Sequence, residues 1–151
     1  MAEAAVRRST SERIENVLAL LSGEMDAWVA SADPDGTGYL IPLTFFWDGT
    51  ALIFATPGTS RTAGNLRSAG RTRIGLGSTR DVVMIDGRVE LIAISADPAL
   101  AEAFARNTDF DPRLETPEYV MVKVTPEKIQ AWRTAAELTG RTVMKNGIWL
   151  A

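Results

Sequence analysis

Residues 56–66 have the residue types and the spacing of an anion-binding loop. A β-prone run ends at Pro57-Gly58, and a short helical pattern follows with Ser60 in the N-cap position. The first amides of a helix have no intrahelical acceptor, and with the helix dipole they favour a negative charge. Ser60 and Thr62 add hydroxyl groups and Arg61 adds a guanidinium, so the segment predicts a phosphate site. A capped helix without a ligand is the alternative interpretation.

A second candidate lies in the β-prone run 39–47, where Pro42 interrupts the strand pattern. Proline has no N–H, so it favours a strand edge or a bulge and leaves an unpaired backbone group nearby. A flat aromatic ligand could lie along this stretch, which continues through Leu43 and Thr44. The alternative is a bulged strand inside the core.

Trp132 and Arg133 form a third candidate, at the end of a predicted late strand. An indole next to a guanidinium suits stacking on an aromatic ring or pairing with an anion. A tryptophan that covers the surface beside a solvated arginine explains the same pair without a ligand.

The composition excludes several kinds of site. The sequence has no histidine and no cysteine, so Ser-His-Asp triads, Cys-His pairs and His/Cys zinc or haem sites are excluded. If the chain is an enzyme, we expect a bound cofactor to supply the chemistry. A hydrolase that uses only carboxylates is the remaining alternative.

Length and charge narrow the class of protein further. The 151 residues fit a single domain, 1–151, with residues 1–8 predicted as a flexible tail. A net charge of −3 argues against general nucleic-acid binding. No apolar run approaches the roughly 20 residues of a membrane span, and the N-terminus does not read as a signal peptide, so we expect a cytoplasmic protein.

The elements that must position these residues follow from hydrophobic spacing and turn signals. Ser9 and Glu12 have the spacing of a capping box, which predicts a helix over 10–22. Two further helices are predicted over 60–69 and from Asp97-Pro98 to about 106. The predicted strands are 27–32, 39–47, 51–56, 71–77, a long bent strand over 82–94 with Gly87 at its bend, 119–125 and 129–133. Helices between strands are too few for a parallel sheet, so the pattern predicts a mostly β protein with α: a small antiparallel barrel with peripheral helices.

In order and spacing, six stretches resemble the split β-barrel flavoproteins, the pyridoxamine 5′-phosphate oxidase-like superfamily. The resemblance extends over roughly 24–133 and is greatest to the actinobacterial branch of flavin- and deazaflavin-dependent oxidoreductases. The matching stretches are 28–36, 40–43, 47–49, 59–66, 73–77 and 87–90.

The resemblance implies an FMN-binding type of split barrel and a homodimer with cofactor sites at its interface. It places the cofactor phosphate at Ser60, Arg61 and Thr62 with Asn65 nearby. The isoalloxazine ring is placed along Pro42, Leu43 and Thr44. A late Trp or Arg from the partner subunit is expected at the site, which makes Trp132 and Arg133 candidates.

Many relatives have a lysine shortly before the Asn-Leu pair, whereas this sequence has only Arg61 as a cation in that stretch.

The branch resemblance and the arginine-rich composition favour coenzyme F420 over FMN. The function expected is an F420-binding oxidoreductase that transfers hydride from a reduced deazaflavin to a small unsaturated or quinone-like substrate. The alternatives are an FMN-dependent oxidase or reductase of the same family and a non-catalytic cofactor-binding protein.

Overall fold

Eight β-strands and three α-helices make up the computed structural model, which describes residues 6–151. The helices are α1 (Thr10–Gly23), α2 (Arg61–Ala69) and α3 (Pro98–Asn107). The strands are β1 (Asp26–Ala32), β2 (Gly38–Trp47), β3 (Leu52–Pro57), β4 (Arg71–Leu76), β5 (Val82–Ala93), β6 (Tyr119–Trp132), β7 (Thr142–Lys145) and β8 (Ile148–Trp149).

The first six strands close into an antiparallel barrel. Their order is β3-β2-β1-β4-β5-β6, and an additional pairing of β3 with β6 joins the two ends. β7 and β8 extend the sheet from β6. The predicted fold class, a small antiparallel barrel with peripheral helices, is therefore confirmed.

Side-chain alternation places two hydrophobic cores on the two faces of the barrel wall. The larger core fills the barrel and includes Phe54, Ile74 and Ile85. The smaller core lies outside β3 and β6, where α3 contributes Ala101 and Phe104. Residues 51–56 are all buried because β3 faces one core on each side.

The predicted strands 119–125 and 129–133 are wrong as separate elements, because β6 is one strand. Gly87 pairs with Pro126 and Asp86 pairs with Lys128, so residue 127 is an extra residue on β6. Such a bulge lets a strand bend and continue, which is why Pro126 does not end it. Gly87 is required there, since a Cβ at this position would lie 2.5 Å from Val124 Cγ1.

The N-terminal prediction is corrected at one residue. The capping box is confirmed, because Ser9 accepts from the Glu12 amide and the Glu12 carboxylate accepts from the Ser9 amide. Arg8, however, is buried and paired with Glu137, so it does not belong to a flexible tail. Residues 1–5 of the predicted tail lie outside the described residues.

The C-terminal segment forms the β7–β8 hairpin. Asn146 and Gly147 both have positive φ, 53° and 76°, as a two-residue type I′ turn requires. Trp149 packs against the larger core. Among residues 6–151, the helices lack the length and apolar character that crossing a bilayer requires.

Candidate functional site

The barrel wall is split between β2 and β3. β2 pairs with β3 only through residues 45–47, whereas residues 38–44 pair only with β1. On the other side of the opening, residues 55–57 of β3 pair only with β6. The two strands therefore diverge and leave a cleft with an unpaired backbone edge on each side.

The edge of β2 that faces this cleft offers both donors and acceptors. The Phe45 amide donates to the Met25 carbonyl at 3.0 Å, on the side of β1. Because peptide groups alternate along an antiparallel strand, those of Leu40, Pro42 and Thr44 point away from β1 into the cleft. Pro42 contributes only a carbonyl there, so its missing N–H costs no ladder hydrogen bond. The prediction of an edge position for Pro42 is confirmed.

The N-terminus of α2 lies just beyond the end of β3. Ser60 is the N-cap, and its hydroxyl accepts from the Ala63 amide and lies 3.0 Å from Thr56 Oγ1. The amides of Arg61 and Thr62 have no hydrogen-bond partner among residues 6–151. They are the free donors that an anion at a helix N-terminus accepts from.

Two arginines flank this helix end. The exposed Arg61 has its guanidinium carbon 5.4 Å from the ring centroid of Tyr39, at the start of β2. Arg67, one and a half turns further along α2, places Nη2 3.5 Å from the Gly58 carbonyl in the preceding loop. Sequence reasoning missed Arg67, although its spacing on the predicted helix was available. Arg67 therefore brings a second cation to the loop before α2.

Thr62 and Asn65 are buried. The Asn65 amide donates to Ser31 Oγ at 3.1 Å and so ties α2 to β1. The Thr62 hydroxyl is fully buried and has no partner among the described residues. In this conformation Thr62 offers an anion its backbone amide rather than its hydroxyl.

A pocket of about 340 Å³ lies beside the β2 edge, with Pro42, Leu43 and Thr44 on one wall. The other wall is aromatic: Phe104 comes from α3, Phe110 from the loop after it and Tyr119 from the start of β6. Thr44 Oγ1 donates to Asp26 Oδ1 at 2.7 Å at the rim. Sequence reasoning missed the aromatic wall, because α3 comes to lie beside β2 only in the tertiary structure.

Trp132 and Arg133 lie far from this cleft in the same chain. They end β6, whereas Tyr119 at its start borders the pocket, roughly 40 Å of strand away. Arg133 pairs with Asp81 at 3.1 Å, and the Arg141 guanidinium lies 5.4 Å from the Trp132 ring. One copy of the chain does not bring these residues to the cleft.

The backbone of Arg133 is instead held by a buried ion pair. Glu137, 1% exposed, accepts from Arg8 through both carboxylate oxygens, at 2.7 and 2.9 Å, and from the Arg133 amide. These hydrogen bonds, chiefly those from the Arg8 side chain, lower the pKa of Glu137 to about 2, against the effect of burial. The network fixes the segment after β6 against the residues that precede α1.

The outer face of the sheet bears a row of residues beside the cleft, the apolar row, whose members are apolar apart from Gln130. Pro42, Trp28, Gly75, Met84 and Gln130 stand directly opposite one another on five neighbouring strands. Trp28 is half exposed, which is unusual for a tryptophan in a sheet with a filled core.

Within residues 6–151, no three acidic side chains converge closely enough to hold a metal ion.

The sequence model of the pyridoxamine 5′-phosphate oxidase family matches residues 14–133, which is most of the chain. The chain belongs to this family. The part of the chain that matches the pyridoxamine 5′-phosphate oxidase family model includes the cleft and α2. It ends before the β7–β8 hairpin. Among curated proteins, none matches this sequence.

Solved structures of similar fold agree with the family. A Listeria innocua protein described as a pyridoxamine 5′-phosphate oxidase is 21% identical, with a TM-score of 0.67 over 80% of this chain and 98% of its own. An F420 reductase is 21% identical, with a TM-score of 0.61 over 74% and 93%. A related FMN-binding protein from Nostoc punctiforme is 16% identical, with a TM-score of 0.57 over 81% and 78%. Identities this low show a shared fold.

Proposed function

We propose that this family member is an oxidoreductase that binds coenzyme F420 in the cleft between β2 and β3. The observation that supports it most directly is the arrangement of the cleft, in which an unpaired strand edge runs toward a helix N-terminus. A long planar cofactor with a phosphate matches both ends of this arrangement.

The helix end suits the cofactor phosphate. The free amides of Arg61 and Thr62 are donors to its oxygens, and the Arg61 guanidinium adds a charge-assisted hydrogen bond. Ser60 completes the turn that holds these amides in place. Arg67 lies beside the same loop and extends the positive charge toward the anionic tail that follows the phosphodiester of F420.

The edge of β2 suits the cofactor ring. The carbonyls of Leu40 and Pro42 accept hydrogen bonds, and the Thr44 amide donates one, at the border of a flat heterocycle. The aromatic wall of Phe104 and Phe110 closes an apolar space beside that edge, where a small unsaturated or quinone-like acceptor fits.

A reduced deazaflavin supplies hydride when bound, and the chain has to supply orientation, exclusion of water and access for the acceptor. Histidine is absent from the sequence, and the pocket is open to solvent, so we assign the accompanying proton to solvent. We assign no catalytic acid or base to the chain.

We further propose that a second copy of the chain covers the apolar row and completes the site. Leu40 and Trp28 are 59% and 50% exposed on this outer face. Trp132 lies on the same face, since it pairs with Val82 in register with the outward residues of β5. A partner docked face to face brings its own late strand toward the cleft, which one copy leaves open.

FMN is the competing cofactor, and an FMN-dependent oxidase or reductase is the corresponding alternative function. A neighbour of the same fold binds FMN, and the short phosphate monoester of FMN needs no cationic path beyond the helix end. A protein that binds either cofactor without turnover is the third possibility.

The deciding experiment is a fluorescence titration of cofactor-free protein with F420 and with FMN, side by side. We expect F420 to bind more tightly than FMN, and reduced F420 to be oxidised when quinone acceptors are added. Tight binding of FMN alone would indicate an FMN-dependent oxidase or reductase. Binding of either cofactor without turnover would indicate a cofactor-binding protein. If neither cofactor binds below about 100 μM, roughly −5.5 kcal/mol, the proposed cofactor site is wrong.

A further inference from the structure

A second pocket, of about 490 Å³, lies at the other end of β2, beyond its turn into β3. Its walls come from that turn, from the bulge where β5 meets β6, and from the β7–β8 hairpin. The hairpin lies outside the region that the family model matches, 14–133. This pocket is therefore partly built by a segment outside that match, and it shares no lining residue with the pocket of the proposed cofactor cleft.

The hairpin is held firmly over the pocket. The Gly147 amide donates to the Glu127 carbonyl at 2.8 Å, which joins the hairpin turn to the bulge of β6. Met144 pairs with Ile129, and Trp149 packs against the core inside the barrel. The pocket is thus formed by ordered backbone on each of its sides, as expected of a preformed ligand site.

Two indoles give the pocket planar apolar walls. Trp47 ends β2 and Trp149 ends β8, and both line the pocket while they are partly buried against the core. Met144 and Pro126 add further apolar surface. Tryptophan faces favour offset stacking with flat aromatic groups, which selects a planar ligand.

The free charge in the pocket is positive. Glu127 is already paired with Arg71, whose Nη2 lies 2.8 Å from Oε1. Arg88 lines the pocket, and its side chain makes no hydrogen bond or ion pair with the other described residues. Arg88 also stands directly opposite Arg71 on the neighbouring strand, and Glu127 pairs with Arg71 alone. An anion next to Arg88 would supply the counter-charge that its side chain lacks among the described residues.

Asp48, in the β2–β3 turn that borders the pocket, makes no ion pair with Arg88 in the described structure. Its Oδ1 accepts from the amides of Thr50 and Ala51, at 2.8 and 2.7 Å, within its own turn. We propose that this pocket binds a small planar aromatic anion, stacked by Trp47 and Trp149 and paired with Arg88. The proposal does not depend on the cofactor cleft.

The test uses the full chain and two probes of one shape, 2-naphthoate and its uncharged amide. Binding is read from the indole N–H signals of the four tryptophans in ¹H–¹⁵N NMR spectra, assigned with Trp→Phe variants. We expect naphthoate to shift the signals of Trp47 and Trp149 while those of Trp28 and Trp132 stay in place. We expect the amide to bind about tenfold more weakly or worse, because it lacks the charge-assisted hydrogen bond.

Two variants test whether the charge of Arg88, rather than a change in the fold, accounts for naphthoate binding. Arg88→Gln is expected to weaken naphthoate binding about tenfold or more and to leave amide binding unchanged. Arg80→Gln, an exposed arginine in the β4–β5 turn, is the matched control and is expected to bind both probes like the native chain. No saturable binding below about 1 mM, equal affinity for both probes, or shifts confined to Trp28 and Trp132 would each overturn the proposal. The comparison of the two probes on the native chain decides the question even if Arg88→Gln does not fold.

Discussion

Arg61 is the side chain whose removal distinguishes a phosphate site from an ordinary capped helix. We expect Arg61→Ala to weaken cofactor binding by about 1.5–3 kcal/mol, because a charge-assisted hydrogen bond is lost while Ser60 still caps α2. Fluorescence titration with the tighter of F420 and FMN measures the change. Arg106→Ala, an exposed arginine on α3, is the control that should bind like the native chain. Unchanged affinity of Arg61→Ala would remove Arg61 from the proposed site.

Glu137 links stability to pH. Its pKa in the folded chain is about 2, below the ordinary value of 4.5, so the ionised form stabilises the fold. This contribution, about 3 kcal/mol, is complete above pH 4.5 and is lost as the pH falls from 4.5 toward 2. Urea unfolding at a series of pH values measures it.

The matching variant is Glu137→Gln, which leaves the buried Arg8 with only Asp81, 4.0 Å away, as a counter-charge. We expect the free energy of unfolding at pH 7 to fall by about 3–5 kcal/mol. We also expect a flatter dependence of stability on pH between 4.5 and 2. Glu115→Gln, which is exposed, should keep both the stability and the pH dependence of the native chain. If the pH dependence of Glu137→Gln equals that of the native chain, another carboxylate is responsible for it.

At the scale of the elements, the bulge between β5 and β6 can be tested with a matched pair of glycine variants. A Cβ at Gly87 would meet Val124 Cγ1 at 2.5 Å and the Thr125 carbonyl at 3.0 Å, both in the packed barrel wall. We expect Gly87→Ala to destabilise by about 1–3 kcal/mol through overpacking. Gly64→Ala, in α2 with open space around it, should stabilise by about 0.4–1 kcal/mol. Thermal unfolding compares the two, and equal effects would contradict the crowding at Gly87.

The elements also show which parts of the fold were predictable. The start of α1 and the caps of α2 and α3 were predicted because each depends on side chains within three residues of the helix start. β6 was predicted as two strands, 119–125 and 129–133, with Pro126 between them. Whether a proline ends a strand or lies in a bulge depends on the partner strand, and here the partner residue is Gly87. The sequence around Pro126 contains no information about that partner.

At the scale of the whole molecule, the exposed apolar row predicts a dimer. We expect a mass of twice 16.4 kDa at micromolar concentration, measured by light scattering or sedimentation. Trp28→Glu should shift the mass toward that of the monomer, because it places a charge in the centre of the outer face. Leu114→Glu, at an exposed leucine outside this row, should remain dimeric. A monomeric native chain would contradict both the dimer and the shared site.

The sequence by itself determined the kinds of chemistry available and the local parts of the site. The absence of histidine and cysteine, the cap at Ser60 and the edge character of Pro42 are properties of residue type and of short-range spacing. Only the tertiary structure decided which of the candidates meet. It joined the β2 edge to the α2 N-terminus, added Arg67 and the aromatic wall of α3, and placed Trp132 at the far end of β6. These placements follow from the pairing of β3 with β6 and from the point at which β2 diverges from β3. Pairing between strands that are far apart in the chain cannot be inferred from a local sequence pattern.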